Sequence, residues 1–254
     1  MTLSDRLDQA QSELRRLEAD IRQALADRKD RSRAPLNRRL HELRRMLNPN
    51  YHYASQAGQD AIIDRYFQGK TGGTFIDVGG FDGVTGSNSV FFEAFRKWTG
   101  LLVEPVPSNL EKAQSVRRCP CLPYAVSDQD GAATFLEVQE GYTQMSGLVD
   151  SYDPDLLSQV RQDKRHKEAT ITVETRRLST ILRDHDLMHP DVISLDIEGG
   201  ELACLQDFPF GDHDVQVWSI ENNTGASDIP QIMRDNGYDL IEFAGPDDIF
   251  AKRR

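Results

Sequence analysis

The chain has 254 residues, 38% hydrophobic and 28% charged, which is the balance of a globular protein with one sizeable α/β domain and an appendage. The net charge of −11 is uneven, because residues 1–47 carry +4 and the remainder carries −15. An acidic main part argues against nucleic acid as a partner, since phosphate binding needs a basic face. No apolar run approaches the roughly 20 residues that cross a bilayer, and the charged N-terminus lacks the apolar core of a secretory signal. Three cysteines without metal-type spacing favour a reduced, cytoplasmic setting.

Residues 1–47 are predicted to form a helical unit of their own. Apolar residues recur at alternating spacings of four and three, the a/d pattern of a coiled coil, at Leu3, Leu7, Ala10, Leu14, Leu17, Ile21 and Ala24. Residues 30–35 interrupt this pattern, and Pro35 suits the first turn of a second helix that runs to Leu47. The segment is either an oligomerising coiled coil, a helical hairpin, or an amphipathic helix folded against the main domain. We expect self-association through 1–47 and a separate domain over 48–254.

Helical and strand patterns alternate along the rest of the chain. Strands are predicted at 74–79, 100–105, 121–128, 132–138, 169–176, 191–200 and 214–223. Helices are predicted at 57–67, 88–97, 108–117, 154–168, 178–185, 201–206 and 229–238, and a hairpin closes the chain. The polar stretch 139–152 is predicted to be a loop. This rhythm predicts an α/β fold with a mostly parallel sheet and helices on both faces.

Acids or amides follow five of the predicted strands. They are Asp77, Glu104, Ser127-Asp128, Asp196 with Glu198, and Glu221-Asn222-Asn223. Because ligands of open parallel sheets bind beyond the carboxyl ends of the strands, this concentration predicts a binding site along that edge.

The stretch "FIDVGGFDGVTGSN" (75–88) indicates which ligand the first turn suits. Its glycines do not fit the dinucleotide pattern G-x-G-x-x-G, and it lacks the lysine of a phosphate loop. Asp77 would repel a phosphate but suits a cation such as S-adenosylmethionine, which carries an ammonium and a sulfonium group. The spacing from Asp77 through Gly79 to Gly83 is similar to the first motif of class I methyltransferases. Glu104 is then placed to accept both ribose hydroxyls, and Asp128 to meet the adenine amino group.

Five stretches, in the same order, resemble the FkbM-type methyltransferase family. They are "SQAGQDAIIDRYF" (55–67), "FIDVGGFDGVTGSN" (75–88), "LLVEPVPSNLEKA" (101–113), "AVSD" (125–128) and "SLDIEGGE" (194–201). The resemblance covers roughly 54–245 and implies a Rossmann-like class I methyltransferase with a seven-stranded sheet, S-adenosylmethionine as cofactor, and methyl transfer to a sugar or polyketide hydroxyl. It implies cofactor contacts from Gln59, Asp77, Gly79, Gly80, Asp82, Ser87, Asn88, Glu104, Pro105, Ser127 and Asp128. The family turn often has Asn where this chain has Phe81, so Phe81 is left outside the predicted site.

Two devices can help an acceptor hydroxyl to lose its proton. One is a general base, and either Asp196 or Glu198 is in position for that role. The other is a divalent metal. Asp196 with Glu221 and Asn222 is similar to the set that holds magnesium in catechol-type O-methyltransferases, and hard oxygen ligands suit that ion. The match is imperfect, because the second acid is Glu rather than Asp and no lysine follows Asp196 by three residues.

The polar loop 139–152 is predicted to cover the acceptor. Ser146 and Gly147 would line it, and Tyr142 would stack on a sugar ring. These residues lead to an S-adenosylmethionine-dependent O-methyltransferase that acts on a sugar hydroxyl of a glycan or glycosylated metabolite. The alternative is a non-catalytic scaffold of the same fold that works through its coiled segment. A nicotinamide oxidoreductase is disfavoured by the spacing of the glycine turn.

Overall fold

The computed structural model describes all residues, 1–254. Its helices are α1 (Leu3–Ala26), α2 (Arg33–Leu47), α3 (Gln59–Tyr66), α4 (Val90–Arg96), α5 (Pro107–Val116), α6 (Pro154–Val160), α7 (Leu178–Asp184), α8 (Glu201–Asp207) and α9 (Asp228–Asp235). Its strands are β1 (Thr74–Val78), β2 (Thr99–Val103), β3 (Cys121–Leu122), β4 (Tyr124–Val126), β5 (Gly131–Glu140), β6 (Gly147–Leu148), β7 (Lys167–Arg176), β8 (Val192–Leu195), β9 (Val217–Glu221), β10 (Tyr238–Ala244) and β11 (Asp247–Lys252). No helix combines the length and the apolar character that crossing a membrane requires.

The larger sheet has seven strands in the order β10-β11-β9-β8-β1-β2-β3. Strand β1 lies at its centre and runs parallel to β2 and β8, and β9 runs parallel to β8. Strand β11 is inserted antiparallel between β9 and β10. The predicted Rossmann-like, mostly parallel seven-stranded sheet and its closing hairpin are therefore confirmed.

Apolar cores cover both faces of this sheet, because successive side chains of a strand point to opposite faces. On β1, Ile76 and Val78 belong to one core cluster together with Trp218, whereas Phe75 belongs to a second cluster with Trp98. This burial on both sides is typical of a parallel sheet. Because β1, β2, β8 and β9 all run parallel, their carboxyl ends meet at one edge of the sheet.

A second sheet, which the sequence analysis did not anticipate, stands beside that edge. Its order is β4-β7-β5-β6, and β5 pairs antiparallel with β7 along nearly its whole length. The predicted helix 154–168 is wrong in its second half, because α6 ends at Val160 and residues 167–168 already belong to β7. The long pairing with β5 accounts for the difference, since a partner remote in sequence overrides the local helical pattern.

Helices α1 and α2 form an antiparallel hairpin. Arg44 pairs with Glu18, and the Arg33 guanidinium donates to the backbone carbonyl of Leu25, so higher numbers on one helix match lower numbers on the other. Ile21, Leu25, Leu40 and Leu43 are buried between the two helices. Of the three interpretations of residues 1–47, the structure therefore contains the hairpin.

The hairpin also contacts the main domain. Arg33 forms a two-pronged ion pair with Glu242 on β10, and the Asn37 side-chain amide donates to the Phe243 carbonyl at 2.7 Å. The first half of α1 extends beyond this contact, with Leu3 81% and Leu7 60% exposed. Self-association through these leucines stays a prediction.

Candidate active site

The glycine turn after β1 passes against the ends of two neighbouring strands. A Cβ atom built on Gly79 would lie 1.7 Å from the carbonyl oxygen of Asp196, and one on Gly80 would lie 2.3 Å from Leu102 Cγ. Gly79 also has a φ of +79°, a left-handed conformation that glycine adopts without strain. Only glycine fits here, and its close approach to Asp196 brings the ends of β1 and β8 together.

Asp77 is held in a buried polar network behind this turn. Its Oδ2 atom accepts hydrogen bonds from the hydroxyls of Ser87 and Ser89, and it lies 3.6 Å from a guanidinium nitrogen of Arg117. The Arg117 side chain is fully buried, and its Nε atom donates to Glu93 at 2.8 Å. Asp77 therefore already faces a cation of the protein itself. Arg117 was not predictable from the sequence, because no motif surrounds it and its partners Asp77 and Glu93 lie far away along the chain.

Glu104 follows β2 and points back towards the glycine turn. Its two carboxylate oxygens accept from the backbone amides of Phe81 and Val106, each at 2.9 Å. Burial raises the pKa of this carboxyl to about 7. Phe81 has a φ of +48°, a conformation in which asparagine is far more common than phenylalanine. The backbone amide of Phe81 thus holds Glu104 in place.

Three carboxylates converge where β8 and β9 end. One carboxylate oxygen each from Asp196, Glu198 and Glu221 lie within 4.8 Å of one another. Burial, and then the neighbouring carboxylates, raises the pKa of all three well above its ordinary range. Glu198 has a φ of +57°, and its Oε2 atom is buried without a hydrogen-bond partner. Backbone strain of this kind concentrates at functional sites.

Asp247, on β11, is a further acid that the sequence analysis missed. Its Oδ2 atom accepts from the hydroxyl of Ser219 at 2.7 Å and from the side-chain amide of Asn88 at 3.3 Å. Burial raises the pKa of Asp247 to about 6. The available signal was the pair Asp247-Asp248 at the start of an otherwise apolar strand, since a buried strand rarely tolerates acids without a purpose.

These elements enclose a cavity of about 520 Å³. Most of the predicted site residues line it: Gln59, Asp77, Gly79, Gly80, Ser87, Asn88, Glu104, Pro105, Tyr142, Ser146, Asp196, Glu198 and Glu221. Its apolar end is formed by the second sheet, through Val126, Phe135 and Leu148. The structure therefore brings residues from both sheets into one chamber.

Five predicted residues do not line the cavity: Asp82, Ser127, Asp128, Asn222 and Gly147. The Asp82 carboxylate accepts from backbone amides of its own loop. Ser127 donates to Asp128, and Asp128 lines a separate surface depression. The Asn222 side chain donates to Asp248 at 2.8 Å, away from the three converging carboxylates. Ser127 and Asp128 lie away from the cavity because β4, which precedes them, belongs to the second sheet. Asn222 lies away from the three carboxylates because its side chain is bound to the buried Asp248.

The segment 142–146 lines the cavity on the side opposite the glycine turn. Tyr142 is 55% exposed, and the Ser146 hydroxyl accepts from the Val138 amide and donates to the Thr143 carbonyl. Gly147 lies behind this segment, where a Cβ atom would be 3.3 Å from that of Glu198. The segment is thus positioned to cover the acids.

The charge of the cavity lining is one-sided. Six carboxylates line it, from Asp77, Glu104, Asp196, Glu198, Glu221 and Asp247, whereas Arg38 is its single basic residue. Such a chamber suits a positively charged ligand and disfavours a phosphate. The strand order and strand directions of the larger sheet are those of the Rossmann-like class I methyltransferase fold.

Residues 77–240 match the family model described as the methyltransferase FkbM domain. The chain therefore belongs to this family of methyltransferases. It is similar in fold to the crystal structure of methyltransferase FkbM from Methylobacillus flagellatus KT, with 15% identity and a TM-score of 0.48 over 92% of this chain and 58% of that one. It is also similar to a TehB-like SAM-dependent methyltransferase from Corynebacterium glutamicum ATCC 13032 Kitasato, with 12% identity and a TM-score of 0.39 over 77% and 88%. A comparison with curated protein sequences gave no match.

Proposed function

We propose that this methyltransferase uses S-adenosylmethionine and methylates a hydroxyl group of a sugar. The observation that carries the proposal is that five carboxylates of the cavity lining have no basic partner, whereas the sixth, Asp77, pairs with Arg117. S-adenosylmethionine is one of the few common nucleoside cofactors that carries an ammonium and a sulfonium group but no phosphate. The family supports the same cofactor.

The residues present fit this cofactor. Gly79 and Gly80 line the cavity, and their lack of side chains lets the turn pack against Asp196 and Leu102. Glu104 keeps a free lone pair on each oxygen after accepting its backbone hydrogen bonds, which suits a pair of ribose hydroxyls. The Asn88 Oδ1 atom is buried without a partner and offers a further acceptor. When bound, S-adenosylmethionine supplies an electrophilic methyl group.

Asp196 and Glu198 are the candidates for the general base. An acceptor hydroxyl must lose its proton by the transition state, and a base works best when its pKa lies near the working pH. Burial raises the pKa of both carboxyls. The Glu198 Oε2 atom has no hydrogen-bond partner within the protein, so it is open to a proton or to a bound cation.

The segment 142–146 supports a sugar as the acceptor. It presents the half-exposed ring of Tyr142 together with hydroxyl and amide side chains of Thr143, Gln144 and Ser146. An aromatic face beside several polar groups matches a sugar ring, which has an apolar face and a rim of hydroxyls.

Calorimetry tests the cofactor, with Glu104→Gln as the variant and Glu111→Gln, an exposed acid on α5, as the matched control. We expect wild type and Glu111→Gln to bind S-adenosylmethionine equally, and Glu104→Gln to bind at least ~10-fold more weakly, since it loses a charged acceptor. Substitution of Asp77 is a poorer test, because it strands the buried Arg117. If the wild type does not bind the cofactor, the proposal is wrong.

A screen with isotopically labelled cofactor tests the acceptor. We expect label on a sugar hydroxyl among candidate glycans, and loss of that label in Glu198→Gln with cofactor binding intact. A protein that binds the cofactor but labels no glycan would instead agree with the non-catalytic scaffold.

A further inference from the structure

The carboxylates of Asp196, Glu198 and Glu221 lie close together without a positively charged side chain between them. Asp196 and Glu198 follow β8, and Glu221 ends β9, so two adjacent strand ends deliver them to one point. Glu198 and Glu221 are only 6% and 7% exposed. Buried carboxylates this close repel one another strongly unless protons or a cation compensate them.

The arginines nearby do not provide that compensation. Arg117 is engaged with Asp77 and Glu93, and Arg31 is engaged with Asp248. The three acids themselves take part in no ion pair with a basic side chain. One of their oxygens, Glu198 Oε2, is buried and has no hydrogen-bond partner at all. An unpaired acceptor is rare in the interior of a native protein, and a bound ligand that contacts this oxygen would explain it.

We propose that Asp196, Glu198 and Glu221 together bind one divalent cation of the magnesium or manganese type. Oxygen ligands lie about 2.0–2.1 Å from magnesium and about 2.3–2.6 Å from calcium, so oxygens on opposite sides of one hard cation are roughly 4–5 Å apart. The observed grouping within 4.8 Å fits that span. Three acids and no nitrogen or sulfur ligand select a hard cation over zinc or copper.

This ligand set differs from the one expected from sequence. Asn222 is directed to Asp248, and Glu198 takes its place. The left-handed backbone at Glu198 is the cause, because it turns this side chain back towards Asp196 and Glu221. The inference deepens the proposed function and rests on it for the role of the ion, which would lower the pKa of an acceptor hydroxyl bound beside it. Glu198 would then hold the ion, and the proton of the acceptor hydroxyl would pass to water or to a carboxylate of the cavity that does not hold the ion.

Titration of the full-length protein with Mn²⁺ alone, by calorimetry and electron paramagnetic resonance, tests the site. We expect one Mn²⁺ per chain for the wild type. Glu198→Gln and Glu221→Gln keep the side-chain shape and should weaken binding at least ~10-fold, since the loss of even an outer-sphere partner has this effect. The matched control is Asp207→Asn in the exposed acidic depression that also contains Asp128 and Asp130. It should bind Mn²⁺ as the wild type does.

Absence of Mn²⁺ binding by the wild type, or equal binding by Glu198→Gln, would overturn the site. Circular dichroism checks that each variant is folded. If neither Gln variant folds, the wild type alone decides: a single Mn²⁺ that raises its Tm supports the site, and no change in Tm refutes it. S-adenosylmethionine binding is measured without metal. If the protein binds Mn²⁺ but not the cofactor, the cation site stands and the proposed function is wrong. If it binds the cofactor and EDTA does not diminish methyl transfer, the proposed function stands and the role of the ion is wrong.

Discussion

Replacement of Gly79 by alanine should damage both the fold and the site, and the chain contains a matched control. Gly79 and Gly72 both have left-handed backbones, with φ of +79° and +70°. A Cβ atom at Gly72 would meet nothing within 4 Å, whereas one at Gly79 would lie 1.7 Å from the Asp196 carbonyl oxygen. The pair therefore separates the backbone penalty from the steric one.

The backbone penalty for alanine in a left-handed conformation is about 1–2 kcal/mol at either position. Gly79→Ala adds overpacking against β8, which typically costs about 1–3 kcal/mol. Real Cβ contacts essentially never fall below 3.0 Å, so the turn and the strand end must separate by more than ~1 Å. We expect Gly79→Ala to lower the free energy of unfolding by about 2–5 kcal/mol, and Gly72→Ala by about 1–2 kcal/mol.

Urea unfolding measures the two free energies, and calorimetry measures S-adenosylmethionine affinity at a temperature where both variants are folded. Because the glycine turn lines the cavity and must move away from β8, only Gly79→Ala should also lose cofactor affinity. Equal destabilisation of the two variants would refute the reasoning, since it would mean that the approach of the glycine turn to β8 is not rigid.

Three further predictions concern single side chains. Arg31→Ala should lower the free energy of unfolding by about 2–4 kcal/mol in urea titrations, because it strands the buried Asp248 carboxylate and releases the hydrogen bond to the Pro246 carbonyl. Glu104→Gln should flatten the pH dependence of stability. The folded pKa of about 7 lies above the ordinary 4.5, so the wild type loses stability as the pH rises through that window, by about 3 kcal/mol in all, and the difference between the two proteins across the window measures this. Phe81→Asn should raise the free energy of unfolding by up to ~1 kcal/mol, since asparagine tolerates the left-handed backbone at this position.

Each has a result that contradicts it. Unchanged stability of Arg31→Ala would mean that the helical hairpin is not anchored beside the site. Parallel pH profiles for wild type and Glu104→Gln would show that this carboxyl ionises alike in the folded and unfolded chain. A Phe81→Asn variant less stable than the wild type would mean that packing of the phenyl ring outweighs backbone strain.

Much of the architecture followed from local patterns. The short apolar run ending at Asp77 predicted the central strand, and the alternation of strands with helices predicted a parallel sheet. The carboxyl-end rule then placed Asp77, Glu104, Asp196 and Glu221 at one edge, where the structure has them. These inferences succeeded because the periodicity of a strand and the order of strands and helices depend on residues that are close together in sequence.

The second sheet was not predictable in the same way. Strands β5 and β7 were each recognised over most of their length. Their pairing joins residues that lie 27 positions (Glu140 and Lys167) to 44 positions (Gly131 and Thr175) apart, and no local signal specifies it. The same limitation placed Asp128 in the predicted cofactor site. Its strand, β4, pairs with β7 and leads Asp128 away from the cavity.

The sequence by itself determined the fold class, the family and the acidic character of the strand-end site, because these depend on the order, spacing and charge of residues along the chain. Only the tertiary structure decided how those acids are partnered. It gave Asp77 the buried Arg117, gave Glu104 the amide of Phe81, and left Glu198 without a partner beside Asp196. The physical reason is that a carboxylate's state depends on the burial and charges around it, and those neighbours come from strands and helices distant in sequence.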